Sequence, residues 1–232
     1  MIRLPKLFRP SHPDAGGVTL YTFGDSILDC GHYNPYGVHP GQLLVRNHDL
    51  LFPEFRGKDL SSRGPARLVH RARDGATVYD LRAQARRLKP GDVGRSIAML
   101  TIGGNDLLMG LLADREPDWR AFARALDEFL RDLPIRPVFV GNVYDPSFGN
   151  DENNFLSVDP RVARANHRQV NDLLAEIGAR YGGLVDLHAH FLTGDPSWFT
   201  YTIEPSLKGA SEVRRAFLPY VLAAAEAMNE GS

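Results

Sequence analysis

The stretch VTLYTFGDS at residues 18–26 decides the fold, because a run of β-forming residues ends abruptly at Gly24, Asp25 and Ser26. A continuous apolar run of this length is typical of a strand buried on both faces, as strands in parallel sheets are. A glycine followed by small polar residues favours a turn into a helix. The segment therefore predicts a buried parallel strand whose carboxyl end exposes the Ser26 hydroxyl.

The same pattern recurs four times along the chain, each time as a short apolar or β-rich run bounded by Gly, Pro or Asp. These runs are ARLVHRAR (66–73), SIAMLTIGG (96–104), IRPVFVGNVYD (135–145) and GGLVDLHAH (182–190). Apolar residues at helical spacing predict helices over 78–88, 119–133, 162–181 and 211–228, the last interrupted or kinked near Pro219. Strands that alternate with helices predict a mainly parallel five-stranded sheet covered by helices on both faces.

Length and composition describe one ordinary globular domain over residues 1–232. The chain has 43% hydrophobic and 24% charged residues and a formal net charge of −1, so no basic excess is present to bind nucleic acid or an anionic membrane. No run approaches the roughly 20 apolar residues that cross a bilayer. The amino-terminal segment (1–17) lacks the apolar core of an export signal and Cys30 is the single cysteine, so we expect a cytoplasmic protein.

Residues 29–64 interrupt the alternation of strands and helices with a long loop insertion rich in Gly, Pro and polar residues. Long ordered loops in compact domains are often functional. A surface excursion with a short helix around residues 42–45 explains the composition equally well. The sequence leaves both interpretations open.

Polar or glycine-rich residues follow four of the five predicted strands, at 24–26, 74–76, 103–106 and 186–190. Ligands of parallel sheets bind at these carboxyl ends. A serine hydroxyl placed there, beside helical N–H groups, can act as a nucleophile. The N–H groups of Ser26 and Gly75 and the side-chain amide of Asn105 can form an oxyanion hole, where each donor is worth about 3 kcal/mol in the transition state. Taken singly, each motif is explained as well by a helix cap or a turn.

Together and in this order, the blocks FGDSILD (23–29), RDGAT (73–77) and IGGNDLL (102–108) resemble those of the GDSL/SGNH hydrolase family. The resemblance extends over about residues 18–220. It implies a flavodoxin-like three-layer α/β/α sandwich and ester hydrolysis or acyl transfer without a cofactor. It also implies Ser26 as the nucleophile and Ser26, Gly75 and Asn105 as the oxyanion donors.

The last block of the family, D-x-x-H-P, is altered in this chain, where the corresponding stretch is TYTIEPSLKGASE (200–212). Glu204 occupies the position of the histidine that takes the serine proton, and Tyr201 occupies the position of the aspartate that orients it. Pro205 and Gly209 keep the spacing of the family, which supports the alignment.

Three interpretations of this substitution are open. In the first, Glu204 is the base, although a carboxylate near its ordinary pKa of about 4.3 accepts a serine proton poorly unless burial raises that pKa. In the second, a histidine from elsewhere is the base, and the candidates are His188, His190, His32 and His39. In the third, the pocket binds a small molecule with little chemistry, or uses Glu204 for another purpose.

Further residues near these strand ends are candidates for contacts with a ligand. Asp25, Asn142, Tyr144 and His190 are candidate substrate-binding residues, since pockets combine apolar walls with a few polar groups. His188 and His190 also suggest a metal site, because alternate residues of a strand share a face. Only Asp186 and Asp195 are available as further ligands, so we expect no metal. Cys30 is expected to be packed and inert.

The leading hypothesis is a serine ester hydrolase, esterase-like or lipase-like, or an acyltransferase, which acts on a small acyl ester through Ser26. The alternative is a catalytically weak or inactive protein that binds a small molecule in the same pocket. The sequence identifies neither the acyl and alcohol groups nor the oligomeric state.

Overall fold

The computed structural model describes residues 17–89, 91 and 93–230. Its strands are β1 (Val18–Gly24), β2 (Ala66–His70), β3 (Ser96–Thr101), β4 (Val138–Gly141) and β5 (Gly182–Val185). They form one parallel sheet in the order β2-β1-β3-β4-β5. This is the strand order of flavodoxin-like folds, so the predicted architecture is confirmed. Residues 1–16, where no export signal is expected, lie outside the described residues.

Helices cover both faces of the sheet. They are α1 (Pro40–Val45), α2 (Leu81–Ala85), α3 (Gly104–Asp106), α4 (Trp119–Asp132), α5 (Pro160–Ala179), α6 (Leu187–Leu192) and α7 (Leu207–Glu230). Helices α2, α4 and α5 pack on one face, and α1, α6 and α7 pack on the other. Within the described residues, no helix combines the length and the apolar character needed to cross a membrane.

The central strands send alternate side chains into the two layers. Tyr21 and Phe23 of β1 join the cluster that contains α4, whereas Leu20 joins the cluster that contains α7. Phe122 and Leu126 of α4 are buried in the first cluster, as their helical spacing predicts. Both faces of the sheet are therefore covered, and only its edges are left for a ligand.

The long loop between β1 and β2 is ordered and packs against α7. Arg214 of α7 is fully buried, with its guanidinium carbon 3.3 Å from the ring centroid of Phe55. Its Nη1 donates a hydrogen bond to Asn47 Oδ1 at 3.0 Å. A buried cation that stacks on a ring and is hydrogen-bonded in this way anchors the loop.

The strand predicted over residues 182–190 is wrong beyond Val185. Strand β5 ends there and α6 begins at Leu187, because Asp186 accepts a hydrogen bond from the Ala189 N–H at 2.9 Å and caps the helix. His188 and His190 therefore lie on a helix, where residues two apart point to different sides.

Two of the predicted helices have clearly different boundaries in the structure. Helix α7 begins at Leu207 instead of residue 211, and it runs through Pro219 without a break. The helix predicted over 78–88 starts as a 3-10 turn, Val78–Asp80, and α2 then ends at Ala85. The chain turns away there, since Arg87 has a positive φ of 82°.

A small antiparallel hairpin precedes α7. Its strands are β6 (Phe199–Thr200) and β7 (Glu204–Pro205). Tyr201 and Thr202 form the turn with φ angles of 45° and 74°, in the left-handed region. Glu204 therefore emerges directly from a tight turn.

Candidate active site

The end of β1 is shaped by a glycine. Gly24 has φ +114°, and a Cβ atom on it would lie 1.7 Å from the carbonyl oxygen of Thr101 on the neighbouring strand. The Gln84 side chain accepts a hydrogen bond from Gly24 N at 2.7 Å and donates one to Gly24 O at 2.8 Å. The chain is thus fixed where it leaves the sheet, and the next two residues lie just beyond the edge.

The buried Asp25 side chain stabilises this turn by hydrogen bonds. Its Oδ1 accepts hydrogen bonds from Thr101 Oγ1 at 2.7 Å and from Ile27 N at 3.2 Å. Burial raises the pKa of Asp25 to about 7, and the hydrogen bond from Thr101 opposes that rise. Ser26 follows in a nearly buried position, and its N–H donates to no acceptor within the described residues.

The end of β2 brings Gly75 close to this turn. Gly75 has φ +75°, and its N–H finds no acceptor in the part of the chain that the structure describes. The neighbouring Asp74 N–H donates to Asp29 Oδ2 at 2.9 Å, and Asp29 Oδ1 contacts His70 Nε2 at 3.0 Å. The Gly75 turn is therefore attached to the segment that follows Ser26.

The end of β3 is attached to the same turn. Asn105 Nδ2 donates to the carbonyl oxygen of Ala76 at 3.0 Å, which leaves its second hydrogen free. The Asp106 carboxylate accepts from Val78 N at 3.2 Å. Hydrogen bonds therefore join the ends of β1, β2 and β3, the strands after which the sequence places the nucleophile and the oxyanion donors.

A cavity of about 160 Å³ opens at this edge of the sheet. Five of the candidate site residues line it: Asp25, Ser26, Asn105, Tyr144 and Glu204. Most of the remaining wall comes from two segments that sequence reasoning missed, residues 107–112 and 145–158. Their apolar members include Leu107, Leu108, Leu112, Phe155, Leu156 and Val158. The site therefore combines a polar end at Ser26 with an apolar arm.

Glu204 is the carboxylate that faces Ser26 in this cavity. Burial raises the pKa of Glu204, and a hydrogen bond with the Ser26 side chain lowers it in part. Its Oε2 is buried and has no hydrogen-bond partner among the described residues. Tyr144 holds the β6–β7 hairpin that carries Glu204, since its Oη donates a hydrogen bond to the Ile203 carbonyl oxygen at 2.7 Å.

The histidines proposed as alternative bases have other partners. His190 Nε2 contacts Glu212 Oε2 at 3.0 Å, and the ring of His188 lies 4.9 Å from that of His167. His39 stacks on His70 at 4.1 Å, and burial lowers the pKa of His39 to about 4. His188, His190, His32 and His39 are all absent from the wall of the Ser26 cavity.

Among the described residues, His167 is the one histidine that lines this cavity, and sequence reasoning missed it. Its Nε2 donates to the Val143 carbonyl oxygen at 2.9 Å, and burial lowers its pKa. The signal was the spacing of Arg164, His167 and Asn171 on α5, which places three polar side chains on one helix face.

Asn142 and His190 lie away from the Ser26 cavity, in contrast to their expected role in substrate binding. Asn142 Nδ2 donates to Asp186 Oδ1 at 2.8 Å, and its Oδ1 accepts from His188 N at 2.8 Å. These bonds fix the β5–α6 junction beside a second cavity of about 330 Å³. The helical position of His188 and His190 also removes the shared face on which the metal interpretation depended.

The model of the GDSL-like Lipase/Acylhydrolase family matches residues 22–210. The chain belongs to this family. The matched range runs from β1 into α7 and contains Ser26, Gly75, Asn105 and Glu204. No curated protein sequence matches the chain significantly.

Solved structures with the same fold include several esterases and lipases. LAE5, an α/β hydrolase enzyme from the metagenome of Lake Arreo, Spain, is 24% identical, with a TM-score of 0.60 over 90% of this chain and 94% of that one. Axe2, an acetylxylan esterase from Geobacillus stearothermophilus, is 21% identical, with a TM-score of 0.59 over 91% and 96%. The lipase Lip_vut3 from a goat rumen metagenome is 17% identical, with a TM-score of 0.62 over 88% and 97%. At these identities the likeness establishes the fold.

Proposed function

We propose that this GDSL-family protein hydrolyses a small acyl ester, with Ser26 as nucleophile and Glu204 as general base. The observation that carries the proposal is the pairing of Ser26 with a partly buried carboxylate, Glu204, inside one cavity at the carboxyl edge of the sheet. Nucleophile and base within hydrogen-bonding reach are the minimum for this chemistry.

In the acylation step, Ser26 Oγ attacks the ester carbonyl carbon while its proton passes to the Glu204 carboxylate. The carbonyl oxygen becomes an oxyanion, which we expect the N–H groups of Ser26 and Gly75 and the Asn105 amide to bind. The tetrahedral intermediate collapses, the bond to the alcohol oxygen breaks, and the alcohol leaves with the proton from Glu204. An acyl ester on Ser26 remains.

In the deacylation step, water attacks the acyl carbonyl and gives one proton to Glu204. The second intermediate collapses to the carboxylic acid, and Ser26 Oγ recovers the proton from Glu204. If an alcohol replaces this water, the same steps give acyl transfer, so the two reactions differ only in the acceptor.

The environment of Glu204 supports its role as base. Burial raises the pKa of Glu204 and so increases its proton affinity, which reduces the mismatch with a serine hydroxyl. Apolar residues such as Leu107, Leu108 and Phe155 line the cavity beside Ser26. Such a wall favours esters with an apolar acyl group.

A second candidate function is binding without turnover. It is favoured by the unpartnered Oε2 of Glu204, because no side chain among the described residues bonds this oxygen and orients the carboxylate as the aspartate of the family orients its histidine. A protein of this kind keeps the pocket and its oxyanion donors but transfers the Ser26 proton very slowly.

A fluorophosphonate probe and short p-nitrophenyl esters separate the two functions. We expect covalent labelling and turnover that Ser26→Ala abolishes and that Ser61→Ala, in the long loop, leaves unchanged. If intact protein mass shows no adduct and no ester is turned over, hydrolysis is refuted and binding is favoured. Labelling that persists in Ser26→Ala would assign the nucleophile to another residue.

A further inference from the structure

The long loop after β1 reaches back to the site through its first turn, Gly31–Tyr33. Tyr33 Oη donates to Asp74 Oδ2 at 2.7 Å, and His32 Nε2 contacts the same oxygen at 3.1 Å. Two donors from consecutive residues thus hold one carboxylate oxygen. This carboxylate belongs to the residue directly before Gly75.

The ring of Tyr33 also contacts the hairpin that carries Glu204. Its centroid lies 5.7 Å from that of Tyr201, the first residue of the hairpin turn, and 3.9 Å from that of His32. A two-stranded hairpin has little stability of its own. The position of Glu204 therefore depends on anchors from outside the hairpin, and these include Tyr144 at Ile203 and Tyr33 at Tyr201.

The same residues bring charges of opposite sign to Glu204. After burial and the Ser26 hydrogen bond, the remaining influences on its pKa are the Asp74 carboxylate, which raises it, and His32, which lowers it. The other ionisable groups that interact with Glu204 are Asp25, Cys30, Tyr33 and Tyr144. Across the cavity the charged or titratable lining residues are Asp145, Asp151, Arg164 and His167. Asp74 and His32 also contact each other, with 3.1 Å between Asp74 Oδ2 and His32 Nε2.

We propose that His32 and Tyr33 are positioning residues, which hold the Glu204 turn against the Gly75 turn through Tyr201 and Asp74. The base and the oxyanion donors then keep one relative geometry while the ester reacts. The inference rests on the proposed role of Glu204 as base. It assigns to the start of the long loop a function that its composition alone leaves open.

The first test measures the charge environment of Glu204 without any turnover. The 13C signal of the Glu204 carboxyl carbon, assigned by its loss in Glu204→Gln, is followed with pH in the full protein. Asp74→Asn keeps an acceptor for Tyr33 but removes a negative charge, so the midpoint should fall by roughly half a pH unit or more. His32→Gln keeps a donor but removes the imidazole that lowers the pKa of Glu204, so the midpoint should rise.

A purely structural hydrogen bond would not shift the Glu204 midpoint in opposite directions in the two variants. If both variants leave the midpoint unchanged, or move it in the same direction, the proposed connection between this pair and Glu204 is overturned. The result does not depend on hydrolysis. A failure of the proposed function appears separately, as wild-type protein that the fluorophosphonate probe does not label at Ser26.

The second test measures positioning. Tyr33→Phe removes the hydrogen bond to Asp74 while keeping the ring, and we expect kcat to fall about tenfold with little change in KM, because a misplaced base affects the reacting geometry more than binding. Tyr36→Phe is the matched control, an exposed tyrosine on the same loop whose hydroxyl makes no hydrogen bond among the described residues. Equal melting temperatures show that both variants fold. A Tyr33→Phe variant with wild-type kcat would overturn the positioning role.

Discussion

Asp25, directly before the proposed nucleophile, makes stability depend on pH in a direction that can be calculated. Its pKa is raised from 3.8 to about 7 by burial, a shift of about 3 units. An unfolded chain restores a pKa of about 3.9, so the folded protein binds one more proton between these values. At about 1.4 kcal/mol per unit, folding loses up to about 4 kcal/mol as pH rises from 4 to beyond 7.

Asp25→Asn removes this loss. An asparagine Oδ1 can still accept the hydrogen bonds from Thr101 and Ile27, so the turn is kept while the charge disappears. The variant should therefore gain stability relative to wild type as pH increases, with little difference at pH 4 and a gain of up to about 4 kcal/mol at pH 8. Stability falls as pH rises because the pKa of Asp25 is raised in the folded state, so ionisation of this buried acid disfavours the fold.

Urea unfolding at pH 4, 6 and 8 measures this difference. Asp172→Asn, at an exposed position on α5, is the control for loss of one negative charge. Parallel stability profiles for wild type and Asp25→Asn would refute the reasoning, because they would mean that Asp25 titrates alike in the folded and unfolded chains.

Three further predictions concern the candidate active site. Glu204→Gln should lower kcat about 10²-fold to 10⁴-fold, and wild-type kcat/KM should rise with pH through the raised pKa of Glu204, as measured with p-nitrophenyl esters. Gly75→Ala should cost about 1 kcal/mol in urea unfolding and also slow turnover, since φ is +75° although a Cβ would meet nothing within 4 Å. Leu108→Ser should reduce the preference for hexanoyl over acetyl esters several-fold, because each methylene buried against the apolar wall is worth about fourfold in kcat/KM. An unchanged chain-length preference would exclude Leu108 from the acyl site.

The sheet and its carboxyl edge could be predicted from the sequence because strands buried on both faces are largely apolar along their length. Gly24 and Gly75 mark the points where the chain leaves β1 and β2, and both have positive φ angles that glycine accepts without strain. The position of Ser26 followed from the same pattern. Local chemistry decides these features, so local sequence reveals them.

The remaining features depend on contacts between distant segments. The run at 182–190 has the apolar content of a strand, and only the cap formed by Asp186 ends it at Val185. His32 and His190 look equivalent in sequence, but one contacts Asp74 and the other Glu212. The apolar arm of the cavity comes from loops whose course no periodicity describes. Periodicity therefore located the strands but could not assign partners to the polar side chains.

A glutamate in the base position changes the charges that the cavity must hold during the reaction. With a neutral histidine, attack by serine creates an imidazolium and an oxyanion together, and a neighbouring aspartate stabilises the new cation. In the mechanism proposed above, with Glu204 as base, attack transfers one existing negative charge from the carboxylate to the oxyanion, and no cation forms. An aspartate at position 201 would then repel the resting base and raise its pKa further. Tyr201 in that position supplies a ring for Tyr33 and adds no charge at neutral pH, so the two departures from the family pattern are physically consistent with each other.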